Sequence, residues 1–252
     1  MSNKEYLYSK KKKSIDKQYE NFKRIWKFLN RIKPIQSNSK LLDVGCGIGN
    51  YTSLFKNKGL KTYGIDINFD FINFAKKNRK SYFLVGRSEK LPFKKNKFDI
   101  CICNSLLEHV RDWESIITEA KRILKPKGIL SISTTNTQHP FQGEIKNFPL
   151  YPWIPQVFKN KLLNYIIKNK KELINYSDHP AVNWFTYNQL KKYLIELNFK
   201  VFDIWDLVSK EDLKNHKKIL KPFLWLFKNK CLKYFGFFFL RSTFLFAIKN
   251  LK

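Results

Sequence analysis

Acidic side chains are scarce in this chain. Its 252 residues hold 20 Asp and Glu against 49 Lys and Arg, a formal net charge of +29 at pH 7. Two readings fit that excess: attraction to a polyanion such as nucleic acid or anionic lipid, or compositional drift with the lysines solvated. The lysines are spread over every segment rather than focused on one, which favours drift. Cysteine is sparse too, with Cys46, Cys101, Cys103 and Cys231 forming no CxxC pair. That spacing argues against a disulfide framework or a cysteine zinc site and fits reduced, buried thiols in a cytoplasmic protein. Long apolar runs are missing. YFGFFFL at 234–240 is broken by Arg241 and falls far short of the ~20 residues a spanning helix needs. The opening MSNKEYLYSKKKKS has no apolar signal core, so secretion is not expected. Neither an internal repeat nor a low-complexity linker interrupts the chain.

What is present suits a packed domain: 43% apolar and 16% aromatic residues give ample core. The length fits one large domain with an insertion. Residues 15–32 place Ile15, Tyr19, Phe22, Ile25, Trp26 and Leu29 at helical spacing, and Pro34 stops the helix. From residue 40 strands and helices alternate. KLLDV, LKTYGIDI, YFLVG, FDICICNSL and ILSISTT read as strands; NYTSLFKNKG, FDFINFAKKNRK and ESIITEAKRILK read as helices, with PKG as a turn. This rhythm predicts parallel pairing and a doubly wound, Rossmann-like α/β sheet over 40–135. Between 136 and 180 the rhythm fails in a stretch rich in proline and aromatics, which predicts a lid or binding loop. The pattern resumes over 181–252 with FTYNQLKKYLIELN as helix, and FKVFDIWDLV and STFLFAIKNL as strands.

The candidate site is the loop after the first strand, LLDVGCGIGN at 41–50, since ligands of open parallel sheets sit beyond the carboxyl ends of the strands. A phosphate-binding P-loop requires GxxxxGK[ST], and Gly49 is followed by Asn50, Tyr51 and Thr52. A dinucleotide fingerprint requires GxGxxG, whereas Gly45, Gly47 and Gly49 give GxGxG. Alone, such glycines also make ordinary turns. Two carboxylates sharpen the reading. Asp66 ends the second strand in YGIDIN, where it can accept both hydroxyls of a ribose. Asp43 ends the first strand, where it would repel pyrophosphate and attract an ammonium or sulfonium. A cofactor with a ribose, a positive group and no phosphate has the profile of S-adenosylmethionine.

LLDVGCGIGNYT, YGIDIN, GRSEKLPFKKNKFDICICNSLLEHV and AKRILKPKGILSIST, in that order, resemble the class I S-adenosylmethionine-dependent methyltransferases, and within them the quinone-biosynthesis branch. The resemblance implies a seven-stranded sheet whose last strand, STFLFAIKNL, runs antiparallel. It implies that Gly45, Cys46, Gly47 and Gly49 lie against the methionine portion of the cofactor, with Asp43 near its amino group. Asp66 would take the ribose hydroxyls, Ile67 would pack on the adenine, and Asn104 would sit near the transferred methyl. The family's usual Gly-Asp-Ala-Glu reads Gly86-Arg87-Ser88-Glu89 here. Arg87 cannot accept the hydrogen bond of the adenine amino group, which leaves Ser88, a backbone carbonyl or Glu89 as acceptor.

Methyl transfer requires alignment of nucleophile, methyl carbon and sulfur, and a base only where the nucleophile must lose a proton. His109 in LLEHV and His139 after strand five are the candidate bases, with His179 in DHPAVNWF a third; each can equally serve packing or capping. The Asn/Asp-Pro-Pro-aromatic tetrad of nucleic-acid amino methylation is replaced by NSLLEH, and no cysteine adjoins a proline as cytosine C5 methylation would require. The lid aromatics Phe141, Phe148, Tyr151 and Trp153, with Ile154, suit a greasy or ring-bearing small molecule, lipidic or a glycan precursor, unless they only close the lid. An RNA methyltransferase and an inactive binding module are the competing readings, the second signalled by Arg87. Finally, residues 216–240 interleave Trp225, Phe227 and Tyr234 with Lys221, Lys228, Lys230 and Lys233. That composition fits either a helix lying on an anionic membrane or one packed on its own domain.

Overall fold

Each strand of the first half ends where a glycine, asparagine or aspartate turns the backbone, so the strand ends gather along one edge of the sheet. In the computed structural model, which describes residues 3–141, 145, 146, 148–170, 173, 174, 181–209, 211, 212, 229, 232, 236 and 242–251, β1 (Lys40–Val44), β2 (Lys61–Asp66), β3 (Tyr82–Val85), β4 (Phe98–Asn104) and β5 (Leu124–Thr135) pair in parallel. β6 (Phe199–Asp203) and β7 (Ser242–Lys249) complete a seven-stranded sheet of order β3-β2-β1-β4-β5-β7-β6. β7 runs antiparallel to both its neighbours, as expected for the last strand. The sheet reverses its winding between β1 and β4, and the β1 loop opens at that switch point.

The helices begin where side chains cap them. Asn68 accepts from the Phe71 amide ahead of α3 (Phe69–Asn78), and Asp112 from the Ser115 amide ahead of α4 (Trp113–Ile123); each such cap stabilises a helix by about 1 kcal/mol. α2 (Asn50–Lys56) instead starts from Gly49 in the left-handed region, φ 76°. A Cβ at Gly49 would lie 2.6 Å from the Phe83 ring, so strain and collision both select glycine there.

The main core lies on both sides of the sheet. Leu41, Leu42, Ile100, Ile102, Ile129 and Leu130 are fully or almost fully buried, each contributing on the order of 1.5–3 kcal/mol. α1 (Asn3–Ile32) packs Phe22, Ile25, Phe28 and Leu29 on this core, Phe28 meeting the Phe246 ring edge-on at 5.8 Å. The helix starts well before Ile15, although polar and basic residues make up most of its N-terminal half and give no apolar period there.

Three further expectations are corrected. The PKG turn lies inside β5: the register with β4 shifts between Phe98 and Ile100, and Lys127 takes φ 58°, so the turn survives as a bulge within a longer strand. FKVFDIWDLV does not stay extended. β6 stops at Asp203, whose side chain accepts from the Trp205 and Asp206 amides while Asp206 returns a bond to the Asp203 amide, starting the short helix α7 (Ile204–Leu207). The 136–180 stretch is not wholly irregular either. It holds a 3₁₀ turn at Tyr151–Trp153 and the helix α5 (Gln156–Asn169), which bury Ile145, Tyr151, Leu163 and Ile166 in a second, smaller core. α6 (Tyr187–Glu196), capped by Thr186, then returns the chain to the sheet.

No described helix is long and apolar enough to cross a membrane. The 216–240 segment with its proposed amphipathic helix, Cys231 and His179 lie outside the described residues, apart from Asn229, Leu232 and Gly236.

Candidate active site

Asp43 and Asp66 end neighbouring parallel strands, and the glycine loop links them. The Gly45 and Cys46 amides both donate to the Ile65 carbonyl, folding the loop back across β2. The Gly47 amide then donates to Asp66 Oδ2 at 2.8 Å, while the Asn68 amide donates to Oδ1 at 2.9 Å. Each carboxylate oxygen keeps acceptor capacity for a further hydroxyl. Gly47 has φ 52°, and a Cβ built on it would meet nothing within 4 Å. Its glycine is therefore selected by the backbone conformation rather than by a protein neighbour, and the loop faces open space there.

Asp43 is buried and accepts the Thr52 hydroxyl at 2.6 Å. Burial pushes its carboxyl up to about 7, the hydrogen bonds from Thr52 opposing that rise and the nearby Asp66 charge adding to it. A cationic ligand group beside it would favour the charged form. Cys46 is held as a thiol, its acidity suppressed by burial first and then by the Asp43 and Asp66 charges; it is a wall, not a nucleophile.

Ile67 is exposed beside Asp66, leaving an apolar surface for a ring. Arg87 is also exposed and pairs with Glu89 at 3.2 Å, and the Ser88 hydroxyl contacts the other Glu89 oxygen at 3.2 Å. Glu89 thus occupies both neighbours of the position where the adenine acceptor is sought. At the end of β4 both polar atoms of the Asn104 side chain are buried with no hydrogen-bond partner among the described residues. An orphaned amide at the end of β4, the strand beside the switch point, is a candidate ligand contact. Free space at Gly47, open acceptor sites on Asp66, a buried acid at Asp43 and the Asn104 amide together fit a ribose-bearing cation.

The histidines fall on the strand exits. His109 ends a 3₁₀ turn at Leu107–His109 after β4. His139 is buried past the end of β5, and its Nδ1 accepts from the Phe141 amide at 3.1 Å, a bond that places the neutral ring's proton on Nε2. Sequence reasoning missed Glu108, which is buried next to His109 in the same turn. It accepts from the Thr134 hydroxyl at 2.7 Å, and its carbonyl accepts the Val182 and Asn183 amides. Asn183 in turn donates to the Leu107 and Val110 carbonyls. This lock ties the β4 exit to the segment that follows the lid. Its only signal in the sequence is Glu108 beside His109 in LLEHV. Among the described residues no His, Cys, Asp and Glu cluster could hold a metal ion.

Comparison with known proteins adds the family. Residues 42–132 match the family model described as Methyltransferase domain. Over those residues the chain carries a methyltransferase domain. The chain is 38% identical over 122 residues to a ubiquinone biosynthesis O-methyltransferase of Pelagibacter ubique, covering 46% of this chain and 50% of that one. It is 28% identical over 185 residues to a demethylmenaquinone methyltransferase of Thermotoga maritima, covering 71% and 76%. The chain thus spans half the length of the first of these relatives. A solved S-adenosylmethionine-dependent methyltransferase from Methanosarcina mazei shares the fold, with a TM-score of 0.53 at 21% identity over 86% of this chain and 95% of that one. All of the methyltransferase domain's strand ends from β1 to β4 carry the candidate residues described above.

Proposed function

We propose that this chain transfers the methyl group of S-adenosylmethionine to a small, apolar or ring-bearing acceptor held beneath the 136–180 lid. The observation that carries the reading is the coupling of the glycine loop to Asp66 through Gly47, with the buried Asp43 behind it. Bound cofactor supplies an electrophilic methyl carbon on a sulfonium. The chain's own part is orientation. Asp66 holds the ribose hydroxyls, Asp43 faces the ammonium, Ile67 covers one adenine face, and the Asn104 amide fixes the end of the cofactor that carries the methyl group. Ser88 or a backbone carbonyl of the 86–89 loop receives the adenine amino group, since Glu89 is engaged by Arg87. His109 is the candidate to take a proton from a hydroxyl acceptor, because His139 offers Nε2–H as a donor instead.

Two supports favour a quinol-like or lipidic acceptor: the names of the matched relatives, and the exposed lid aromatics Phe141, Phe148 and Trp153, Tyr151 being buried in the lid's own core. The test is transfer of labelled methyl from S-adenosylmethionine, offered prenylated catechols and demethylquinols in one arm and total RNA in the other. Label entering the organic phase supports the reading. Label entering RNA alone, or cofactor binding without any transfer from either arm or from a cell extract, would overturn it.

A further inference from the structure

α5 has two apolar faces, and only one of them is used by the fold. Lys159, Leu163 and Ile166 point into the small lid core, whereas Val157, Phe158 and Tyr165 on the opposite side are 65%, 61% and 60% exposed. At about 100° per residue, Val157, Phe158, Lys161, Tyr165 and Lys168 fall within one stripe roughly 100° wide. Lys161 and Lys168 are exposed with them. Phe141 and Trp153, elsewhere in the lid, are exposed as well. The sequence from 145 to 171 contains no Asp or Glu at all.

We propose that this outer face of α5 is the surface by which the protein docks on an anionic lipid bilayer. Large apolar side chains kept in water are unfavourable unless a partner removes them from it. Aromatic and aliphatic residues between lysines, on a helix lacking carboxylates, match the acyl–headgroup boundary of a negatively charged leaflet. Charge complementarity chooses the occupant. A second copy of a chain with a formal charge of +29 would bring lysines against lysines, whereas an anionic surface gains from each of them. The location differs from the basic aromatic segment at 216–240: the docking element is the lid itself, so an acceptor dissolved in the bilayer would meet the site at its entrance. The docking surface does not depend on which acceptor is methylated.

The test is cosedimentation of the full chain with phosphatidylcholine vesicles with and without 30 mol% phosphatidylglycerol. Binding should require the anionic lipid and weaken as salt is raised. Lys161→Ala and Lys168→Ala should each lower the partition coefficient about fivefold. Val157→Ser with Phe158→Ser should lower it by at least tenfold. In the same variants the affinity for S-adenosylhomocysteine, measured by calorimetry, should be unchanged, which separates a failure of docking from a failure of the methyltransferase reading and reports on folding. Phe71→Ser, an exposed control on α3, should bind vesicles like the parent. Three outcomes overturn the proposal: no vesicle binding at low salt, binding lost only on Trp225→Ser with Phe227→Ser, or unchanged vesicle binding with loss of self-association in the α5 variants.

Discussion

Thr52, on the first turn of α2, donates its hydroxyl to the Asp43 carboxylate across 2.6 Å, both residues being buried, so the acid keeps one fixed partner. Its carboxyl, ordinarily near 3.8, titrates at about 7 in the folded protein. The folded chain therefore holds a proton that the unfolded chain has released, and stability without ligand falls as pH rises between those two values, by up to roughly 4 kcal/mol. Denaturant titrations at pH 5 and 7.5 should show this fall in the parent and not in Asp43→Asn. Affinity for S-adenosylhomocysteine should move the other way, rising from pH 6 to 8 as the carboxylate forms against the ligand ammonium. A flat profile in the parent would remove Asp43 from the ligand site.

Asp66→Ala removes the acceptor that joins the glycine loop to β2 and, in the proposed complex, the ribose contacts. A hydrogen bond to a charged acceptor contributes ~1.5–3 kcal/mol, so the affinity for S-adenosylmethionine should drop about ten- to hundredfold by calorimetry. NAD should not bind to either form.

Arg87→Asp introduces the acceptor usual in the family and releases Glu89 from its ion pair. Cofactor affinity should be equal or tighter, measured by calorimetry with S-adenosylhomocysteine. Abolished binding would give Arg87 a role of its own, with an anionic acceptor the first candidate.

Lys159 is only 3% exposed, donates to the Pro152 carbonyl at 2.8 Å and lies 4.5 Å from the Trp184 ring centre. Burial pulls its ammonium down to about 8. Below that pH both the folded and unfolded chains carry the charge, and the folded one bears the desolvation cost. Lys159→Met, similar in length and neutral, should therefore stabilise the protein by roughly 1–2 kcal/mol at pH 7. The advantage should narrow between pH 8 and 10.5, where the parent lysine is neutral only when folded. Thermal melts across that range compare the two.

The sequence by itself determined the alternating strands and helices over 40–135 and the positions of Asp43 and Asp66 near the ends of β1 and β2. Those signals are local: a short apolar run, a cap such as Asn68 or Asp112, and a glycine at the turn each act within a few residues. Parallel order then brings the two strand ends side by side. Packing alone decided the rest. α5 was illegible because its apolar residues lie on two faces, one buried in the lid core and one exposed, so no single period stands out. β6 reads as a longer strand because IWDL is apolar at both periods, and only the Asp203–Asp206 capping box ends it. The burial of Lys159, the Thr52 bond to Asp43 and the Glu108 lock to Thr134 all join residues that the chain separates. Which face of an element meets water is set by what packs on it from elsewhere in the chain. No window of neighbouring residues carries that information.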